Sequence, residues 1–208
     1  MNTKIIARFI ICTIMCYGAL DKLLALNETD LYQQGMELRD SGNWEEALKI
    51  WLTAKDSSGA QSQPDPRIGM AFIELATQKQ ATDYYEQASK IYFWGFAQKN
   101  INQYKKEIHQ EIERIAPLLS KEESALWFKY LDRGDAGLLN KIKGFWIKKD
   151  PIPTSEINER LIEHWERIAF AKEKFNVENT TVYATDDRGL VFVKYGAPDK
   201  KYTGKLGI

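Results

Sequence analysis

Two neighbouring carboxylates close to the C-terminal end are the residues of this chain best suited to chemistry. Asp186 and Asp187 stand between Thr185 and Arg188 in the sequence. A pair of carboxylates can divide acid and base work between them, and carboxylate oxygens can also bind calcium. The same four residues suit a tight turn, because an Asp side chain accepts hydrogen bonds from nearby backbone N–H groups. We favour the turn and keep the catalytic pair as the alternative.

Histidine and cysteine offer little further catalytic potential. Cys12 and Cys16 fall in an N-terminal segment that we predict to be removed, which leaves His109 and His164. We expect His109, among Lys, Glu and Gln, to be a solvated surface residue, and His164 to lie beside a buried helix face. The chain has no His-Glu-x-x-His pair, no glycine-rich phosphate loop and no Gly-x-Ser-x-Gly. We therefore predict a protein that is not an enzyme and that uses no metal or cofactor.

A proline-rich corner and a long amphipathic helix must position any site in this half of the chain. Pro151 and Pro153 push the residues before them towards extended conformations, so the corner ends the preceding helix. Thr154 or Ser155 should cap the next helix, in which apolar residues recur at helical spacing. That stripe comprises Ile157, Leu161, Trp165, Ile168 and Phe175.

A short β-hairpin is predicted after this helix. Residues 181–183 can form a short strand, and residues 190–195 are a β-branched and aromatic run that is too short for a typical helix. The turn between them would use Gly189, which can adopt a positive φ. The fold class that we predict is mainly α, with helical hairpins followed by a small α+β segment.

Several short motifs in this half occur in the order that one protein family shows. The first set has a tryptophan, an acidic residue and a proline, then an Asn-Glu pair on the following helix: Trp146, Asp150, Pro151, Asn158 and Glu159. The second set comprises segments 182–186, 188–189 and 195–199. Together they resemble the GWxTD-domain family, with residues 140–208 as a shortened domain. The resemblance implies a secreted bacterial protein of unknown activity.

The chain departs from the family pattern at its name-giving motif. Val182 and Tyr183 stand where the family has glycine and tryptophan, and Asp187 is an extra residue before Arg188. If the family's glycine lets a ligand approach the backbone closely, Val182 blocks that approach here.

The two sets of motifs define a candidate network of functional or structural residues. Its members are Trp146, Asp150, Glu159, Tyr183, Thr185, Asp186, Arg188 and Asp199. We expect Arg188 to pair with a carboxylate such as Glu159 or Asp199. An open cleft lined by these residues would favour an enzyme, whereas a closed, buried network would favour a structural role.

Residues 26–132 have the pattern of a helical repeat. Two sets of small and aromatic residues share spacings of 12, 4 and 3, and the second set follows 41 residues after the first: Gly35, Ala47, Trp51 and Ala54, then Ala76, Ala88, Tyr92 and Gly95. The tetratricopeptide repeat uses this arrangement where two antiparallel helices cross. A generic four-helix bundle is the alternative. A repeat would present a groove to a protein or peptide partner, with Trp44, Tyr84, Tyr85 and Trp94 as candidate contacts.

The N-terminal residues 1–25 resemble a secretory signal. Lys4 and Arg8 precede an uncharged, mostly apolar run over residues 9–20, which is too short to cross a bilayer as a helix. An uncleaved membrane anchor and a lipoprotein with a lipidated Cys16 are the alternatives. We therefore expect export to the periplasm or outer envelope, with no stable membrane span after signal removal.

The overall composition gives no sign of a nucleic-acid-binding protein. The chain has 208 residues, of which 44% are hydrophobic, and 29 basic residues balance 29 acidic ones. Zero net charge gives no indication of a nucleic-acid partner. The function that we predict is a protein-interaction or scaffold module of the cell envelope. The alternatives are an envelope-polymer hydrolase using Asp186 or Asp187, and a glycan-binding module.

Overall fold

The described part of the chain is mainly helical, as predicted. The computed structural model describes residues 30–56, 63–97, 100–177 and 181–198. These residues form nine α-helices: α1 Leu31–Asp40, α2 Trp44–Asp56, α3 Pro66–Gln78, α4 Tyr85–Gly95, α5 Lys105–Ile115, α6 Lys121–Asp132, α7 Gly137–Lys149, α8 Glu159–Lys174 and α9 Asp187–Tyr195. Short 3-10 helices lie at Thr82–Tyr84, Ile101–Tyr104 and Ala116–Leu118. The signal-sequence prediction for residues 1–25 concerns residues outside the described ranges.

Within these ranges, no helix is both long enough and apolar enough to span a bilayer. The described residues divide into two compact units, one up to Ala47 and the other from Leu48 onward. In the first unit, the Asp30 carboxylate caps α1 by accepting a hydrogen bond from the Tyr32 N–H at 3.0 Å. The chain then turns through Gly42, whose φ of +86° favours glycine. Gly35 and Ala47 are both buried.

The second unit contains an antiparallel hairpin of α3 and α4. Gly69 of α3 lies so close to α4 that an added Cβ would stand 3.0 Å from the Ile91 carbonyl oxygen. One helical turn away, a Cβ on Gly95 would stand 2.8 Å from the Asp65 carbonyl oxygen. Glycine therefore lets the two backbones approach closely where the start of α3 meets the end of α4. The helices bury a large apolar surface between them and the rest of the unit, including Phe72, Ala76, Ala88 and Tyr92.

Helix α8 is central to the second unit, where it packs against α3, α4, α7 and α9. Its buried side includes Leu161, Trp165 and Ile168, as the apolar periodicity predicts. The predicted start of this helix was wrong, because α8 begins at Glu159 rather than after Thr154 or Ser155. Asn158 is its N-cap, and three hydrogen bonds hold that residue in an extended conformation.

Those three bonds explain why the helix starts late. The Asn158 side-chain oxygen accepts from the Leu161 N–H at 2.9 Å, and its Nδ2 donates to the Trp146 carbonyl oxygen at 3.0 Å. Its backbone N–H donates to Ser89 Oγ at 3.0 Å. The α8 N-terminus is thereby joined to both α7 and α4. Helix α7 ends at Lys149, where the proline corner predicts an end.

The predicted β-hairpin is wrong, because the predicted second strand belongs to helix α9. The one extended pairing in the described ranges is a single antiparallel bridge between Asn176 and Thr185. The Asp186 side chain starts α9 by accepting hydrogen bonds from the N–H groups of Arg188 and Gly189. The predicted first strand, residues 181–183, forms a bend and turn instead. Burial of Gly189 and Val193, four residues apart, then fixes one face of the helix.

Gly189 is required for close packing rather than for a positive φ. It lies inside α9, and an added Cβ would stand 2.2 Å from Thr185 Oγ1 and 2.4 Å from Thr185 Cβ. Both distances are shorter than real Cβ contacts, so a larger residue would displace the segment before the helix. The turn after α9 does use a positive φ, of +86° at Gly196.

Candidate functional site

The two C-terminal motifs meet around one buried histidine. The His164 ring lies 5.1 Å from the Trp146 ring and 6.2 Å from the Tyr183 ring, measured between ring centroids. All three side chains are inaccessible or nearly so, with His164 at 0% exposure. Helix α7 supplies Trp146, α8 supplies His164, and the turn before α9 supplies Tyr183.

A chain of hydrogen bonds extends from this cluster into α4 and α5. The Trp146 indole N–H donates to the Tyr92 hydroxyl at 3.0 Å, and that hydroxyl donates to Glu111 Oε1 at 2.5 Å. Arg114 Nη1 donates to Glu111 Oε2 at 3.1 Å. The Tyr183 hydroxyl donates to the Arg114 carbonyl oxygen at 2.6 Å. We call these residues, together with His164, the buried network.

Burial determines the protonation behaviour of the network. Desolvation, with smaller effects from the Arg160, Arg114 and Arg167 charges, lowers the pKa of His164 to about 3. Neither nitrogen of the His164 ring has a hydrogen-bond partner in the described protein. Desolvation also raises the pKa of Glu111, although Arg114 and Tyr92 oppose that shift. The histidine is therefore neutral at ordinary pH.

The buried network is closed to a substrate. Trp146, His164 and Glu111 are each fully buried, so no atom of these groups can meet a ligand from solvent. A buried ion pair is costly to break, because removing one partner leaves the other charge uncompensated. The geometry thus suits a structural role in which distant segments are fixed to one another.

Asp150 and Glu159 form a separate pair of carboxyl groups across the proline corner. The Asp150 Oδ1 accepts a hydrogen bond from the Ile152 N–H at 3.1 Å. Desolvation and hydrogen bonding with Glu159 raise the pKa of Asp150. Desolvation acts against ionisation of Glu159, but hydrogen bonds from its own N–H, Asp150 and Ser155 lower its pKa. The pKa values of the two carboxyl groups are thus displaced in opposite directions, and the two titrations are linked.

Thr185, Asp186 and Arg188 form a local cap for α9. We expected Arg188 to pair with a carboxylate such as Glu159 or Asp199, but its Nη2 lies 2.6 Å from Asp186 Oδ2. This ion pair, together with the N–H groups of Arg188 and Gly189, lowers the pKa of Asp186. Such a carboxylate is a poor general acid, because it stays ionised. Asp199 lies outside the described residues.

The aromatic residues predicted for a groove occupy different environments. Trp44 is half-buried in the first unit. In the second unit, Tyr84 packs edge-on against Phe72, and Trp94 is half-buried. Tyr85 is buried, and its hydroxyl donates to Glu166 Oε1 at 2.7 Å.

A groove that we did not predict lies between the C-terminal part of α3 and α8. It has a volume of about 760 Å³, and Phe192 of α9 closes one side. Helix α8 contributes nine residues between Glu163 and Glu173 to its lining. Four of them, Glu163, Glu166, Arg167 and Phe170, recur at i, i+3, i+4 and i+7 and so share one face of the helix. The spacing could be read from the sequence. Three charged residues and one aromatic residue on a helix face do not, however, predict a groove.

No cluster of three or more His, Cys, Asp or Glu residues that could hold a metal ion occurs in the described ranges. No protein-family model, no curated protein and no solved structure matches this chain. The geometry of the chain itself must therefore support any proposal about its function.

Proposed function

We propose that this protein is a non-enzymatic binding module that holds an amphipathic helix of a partner protein in the groove between α3 and α8. The observation that carries the proposal is the exposed aromatic surface on that groove. Phe170 is 42% exposed, although it is stacked on Phe192 at 4.6 Å between ring centroids. A large aromatic side chain that stays accessible beside a concave surface is typical of a partner site.

The exposed aromatic side chain belongs to a cluster of three phenylalanines. Phe175, which does not itself line the groove, contacts both Phe170 and Phe192, with centroid distances of 6.4 and 6.2 Å. Trp165 and Ile168 line the groove, and both are almost fully buried. A partner side chain that covers the exposed part of Phe170 would therefore add to an existing aromatic cluster rather than create an isolated contact.

Charged residues frame this apolar surface. Lys172 pairs with Glu74 at 2.6 Å across the groove, and Arg167 pairs with Glu163. Glu166 is exposed and accepts the hydrogen bond from Tyr85. The groove lining thus combines apolar with charged side chains, the combination that an amphipathic helix requires. A partner helix with apolar residues at i, i+3 or i+4, and i+7 matches this layout.

The repeat and family predictions are consistent with this proposal. We propose that α3 and α4 are a tetratricopeptide-like pair, supported by the antiparallel contact at Gly69 and Gly95 and by the buried Ala76 and Ala88. We retain, also as a proposal, a divergent GWxTD-like segment and export to the cell envelope. The convergence of Trp146 and Tyr183 on His164 supports the first of these, because both motifs then belong to one structural unit.

A peptide-selection experiment tests the groove. Displayed libraries of peptides about 16 residues long, or roughly four helical turns, would be selected against the protein. Affinity for each enriched peptide would be measured with wild type, Phe170→Asp and Ile147→Asp. Ile147 is the matched control, because it is 60% exposed on α7 and does not line the groove. We expect Phe170→Asp to weaken binding at least about ten-fold, as for a central aromatic contact, and Ile147→Asp to leave it unchanged. Equal binding by all three proteins would contradict the proposal.

A second candidate function, acid-base hydrolysis, is favoured by one observation only. Asp150 and Glu159 have pKa values displaced in opposite directions, which is the arrangement of an acid and a base. If this pair were catalytic, Glu159→Gln would abolish turnover of an envelope polymer without lowering the melting temperature. Absence of turnover in the wild-type protein would exclude this second function and leave the groove proposal unaffected.

A further inference from the structure

A second and smaller pocket lies at the junction of four elements in the second unit. Its volume is about 190 Å³. It is lined by one residue of the 3-10 helix after α5, two of α7, one of α8 and two at the end of α9: Leu118, Phe145, Lys149, Arg160, Lys194 and Tyr195. Three of these six residues are cations and none is an acid.

The three cations are only partly neutralised by the protein. Arg160 donates one hydrogen bond to Glu163 at 2.9 Å, which leaves most of its guanidinium donors available. Lys149 and Lys194 have no ion-pair partner among the described residues. Lys194 instead lies 5.3 Å from the centroid of the Tyr195 ring. Like charges placed around one small pocket repel one another, and a bound anion would relieve that repulsion.

Helix dipoles explain only part of this arrangement. Lys149 and Lys194 lie in the last turns of their helices, where a cation is favourable. Arg160, however, is the second residue of α8, so it adds a positive charge to the positive end of a helix. Glu159, the first residue of α8, supplies one carboxylate at that end, and Arg160 beside it lines the pocket.

The other walls of the pocket are apolar. Phe145 packs edge-on against Trp127 and Trp146 and is therefore held in place. Tyr195 is 69% exposed, and Leu118 also lines the pocket. A cavity of about 150 Å³ can hold a benzene molecule, so this pocket has room for one ring and a small head group.

We propose that this pocket binds a small organic anion, with its carboxylate or phosphate head on Lys149, Arg160 and Lys194 and its ring or short apolar body against Phe145 and Tyr195. The site is separate from the groove between α3 and α8, since the two share no lining residue. Failure of either proposal therefore leaves the other intact.

The experiment uses four probes with the full chain: benzoate, phenyl phosphate, inorganic phosphate and benzyl alcohol. Binding would be followed by calorimetry and by amide chemical shifts. We expect benzoate or phenyl phosphate to saturate the site, and to bind at least roughly ten-fold more tightly than either inorganic phosphate or benzyl alcohol, because each control probe lacks half of the interaction. The aromatic anion that binds more tightly would identify the preferred head group.

Three variants locate the site. Lys149→Gln and Lys194→Gln should each weaken binding about five-fold, the effect of removing one charge about 4 Å from an anion in water. Lys148→Gln is the matched control, because Lys148 is an exposed neighbour on α7 that does not line the pocket. The proposal is overturned if neither aromatic anion saturates the site by about 10 mM, or if the three variants bind alike.

Discussion

Substitution of His164 by leucine should flatten the pH dependence of stability. Leucine is close to histidine in size, and the histidine ring makes no hydrogen bond that the substitution would remove. In the folded protein, burial and three neighbouring arginines lower the pKa of His164 to about 3 from an ordinary value of 6.5. The unfolded chain therefore binds a proton between these two values and the folded chain does not.

The sign and size of the effect follow from that difference. Because the unfolded state binds more protons, the free energy of unfolding falls as the pH falls through 6.5 towards 3. Each pH unit in this window costs about 1.4 kcal/mol. Between about pH 7.5 and pH 4.5, His164 thus lowers the free energy of unfolding by about 2.7 kcal/mol. Nearly all of this loss occurs over roughly the two pH units below the ordinary pKa of histidine.

Glu111 acts in the opposite direction. Its pKa is raised in the folded protein, so the folded state gains protons as the pH falls and stability rises from this group. Glu111 is present in both wild type and His164→Leu. Its contribution therefore cancels when the free energies of unfolding of the two proteins are subtracted at each pH. The charged groups that face His164 are Arg160, Arg114 and Arg167, and they are unchanged in the variant.

Urea unfolding followed by circular dichroism at four pH values from about 7.5 down to about 4.5 measures the effect. We expect wild type to lose about 2.7 kcal/mol more than His164→Leu across this range. His109→Gln is the control, since His109 is exposed on α5. Parallel profiles for wild type and His164→Leu, within about 0.5 kcal/mol, would refute the burial argument, and so would an equal flattening by His109→Gln.

Three further predictions concern the buried network and the start of α9. Tyr92→Phe should lower the free energy of unfolding by about 1–3 kcal/mol, because it leaves the Trp146 indole and a Glu111 oxygen without their shared partner. Gly189→Ala should cost about 1–3 kcal/mol, because its Cβ would overlap Thr185, and the same substitution should cost less when combined with Thr185→Gly. Asp186→Ala should lower the melting temperature by removing the N-cap of α9.

Each of these changes has a matched control. Tyr130→Phe removes a hydroxyl from a half-buried tyrosine outside the network and should change the free energy of unfolding little. Gly144→Ala adds a Cβ that meets nothing within 4 Å on α7, so it should stabilise the protein by about 0.5–1 kcal/mol. Asp187→Ala removes a neighbouring exposed carboxylate that is not the cap. If a control variant lost as much stability as the variant that it is matched with, the structural role assigned to the substituted residue would be contradicted.

The helices could be predicted from the sequence where apolar periodicity and caps agree. Ile108, Ile112 and Ile115 define the buried side of α5, and Ser120, a residue type that favours the N-cap, accepts a hydrogen bond from the Glu123 N–H at the start of α6. The run at residues 190–195 could not be assigned in this way. Its β-branched and aromatic residues favour a strand, but the Asp186 cap and the stacking of Phe192 on Phe170 stabilise a helix. The second contact joins distant segments and is not visible in a local pattern.

Two residues of the buried network could have been recognised from their positions within apolar helix stripes. Glu111 lies at the i+3 position of the stripe formed by Ile108, Ile112 and Ile115. His164 has the same position relative to Leu161, Trp165 and Ile168. A polar residue at that position on an apolar stripe must face the core.

The identity of the partners could not be predicted from this signal. Tyr92, Trp146 and Tyr183 come from three separate segments, and only the tertiary packing brings them to Glu111 and His164. The candidate site residues therefore separated into a buried network, a carboxyl pair and a helix cap. No local spacing distinguishes these three groups, because each depends on which surfaces the helices bury.

The central claim is that the groove between α3 and α8 receives a partner helix. Trp165 lines that groove, and its indole nitrogen has no hydrogen-bond partner in the described protein. Trp146 donates its indole N–H to Tyr92 inside the buried network and does not line the groove. The most direct measurement is the indole N–H spectrum during titration with a selected peptide. The account predicts that the Trp165 signal moves while the Trp146 signal stays in place; a stationary Trp165 signal at saturation would contradict it.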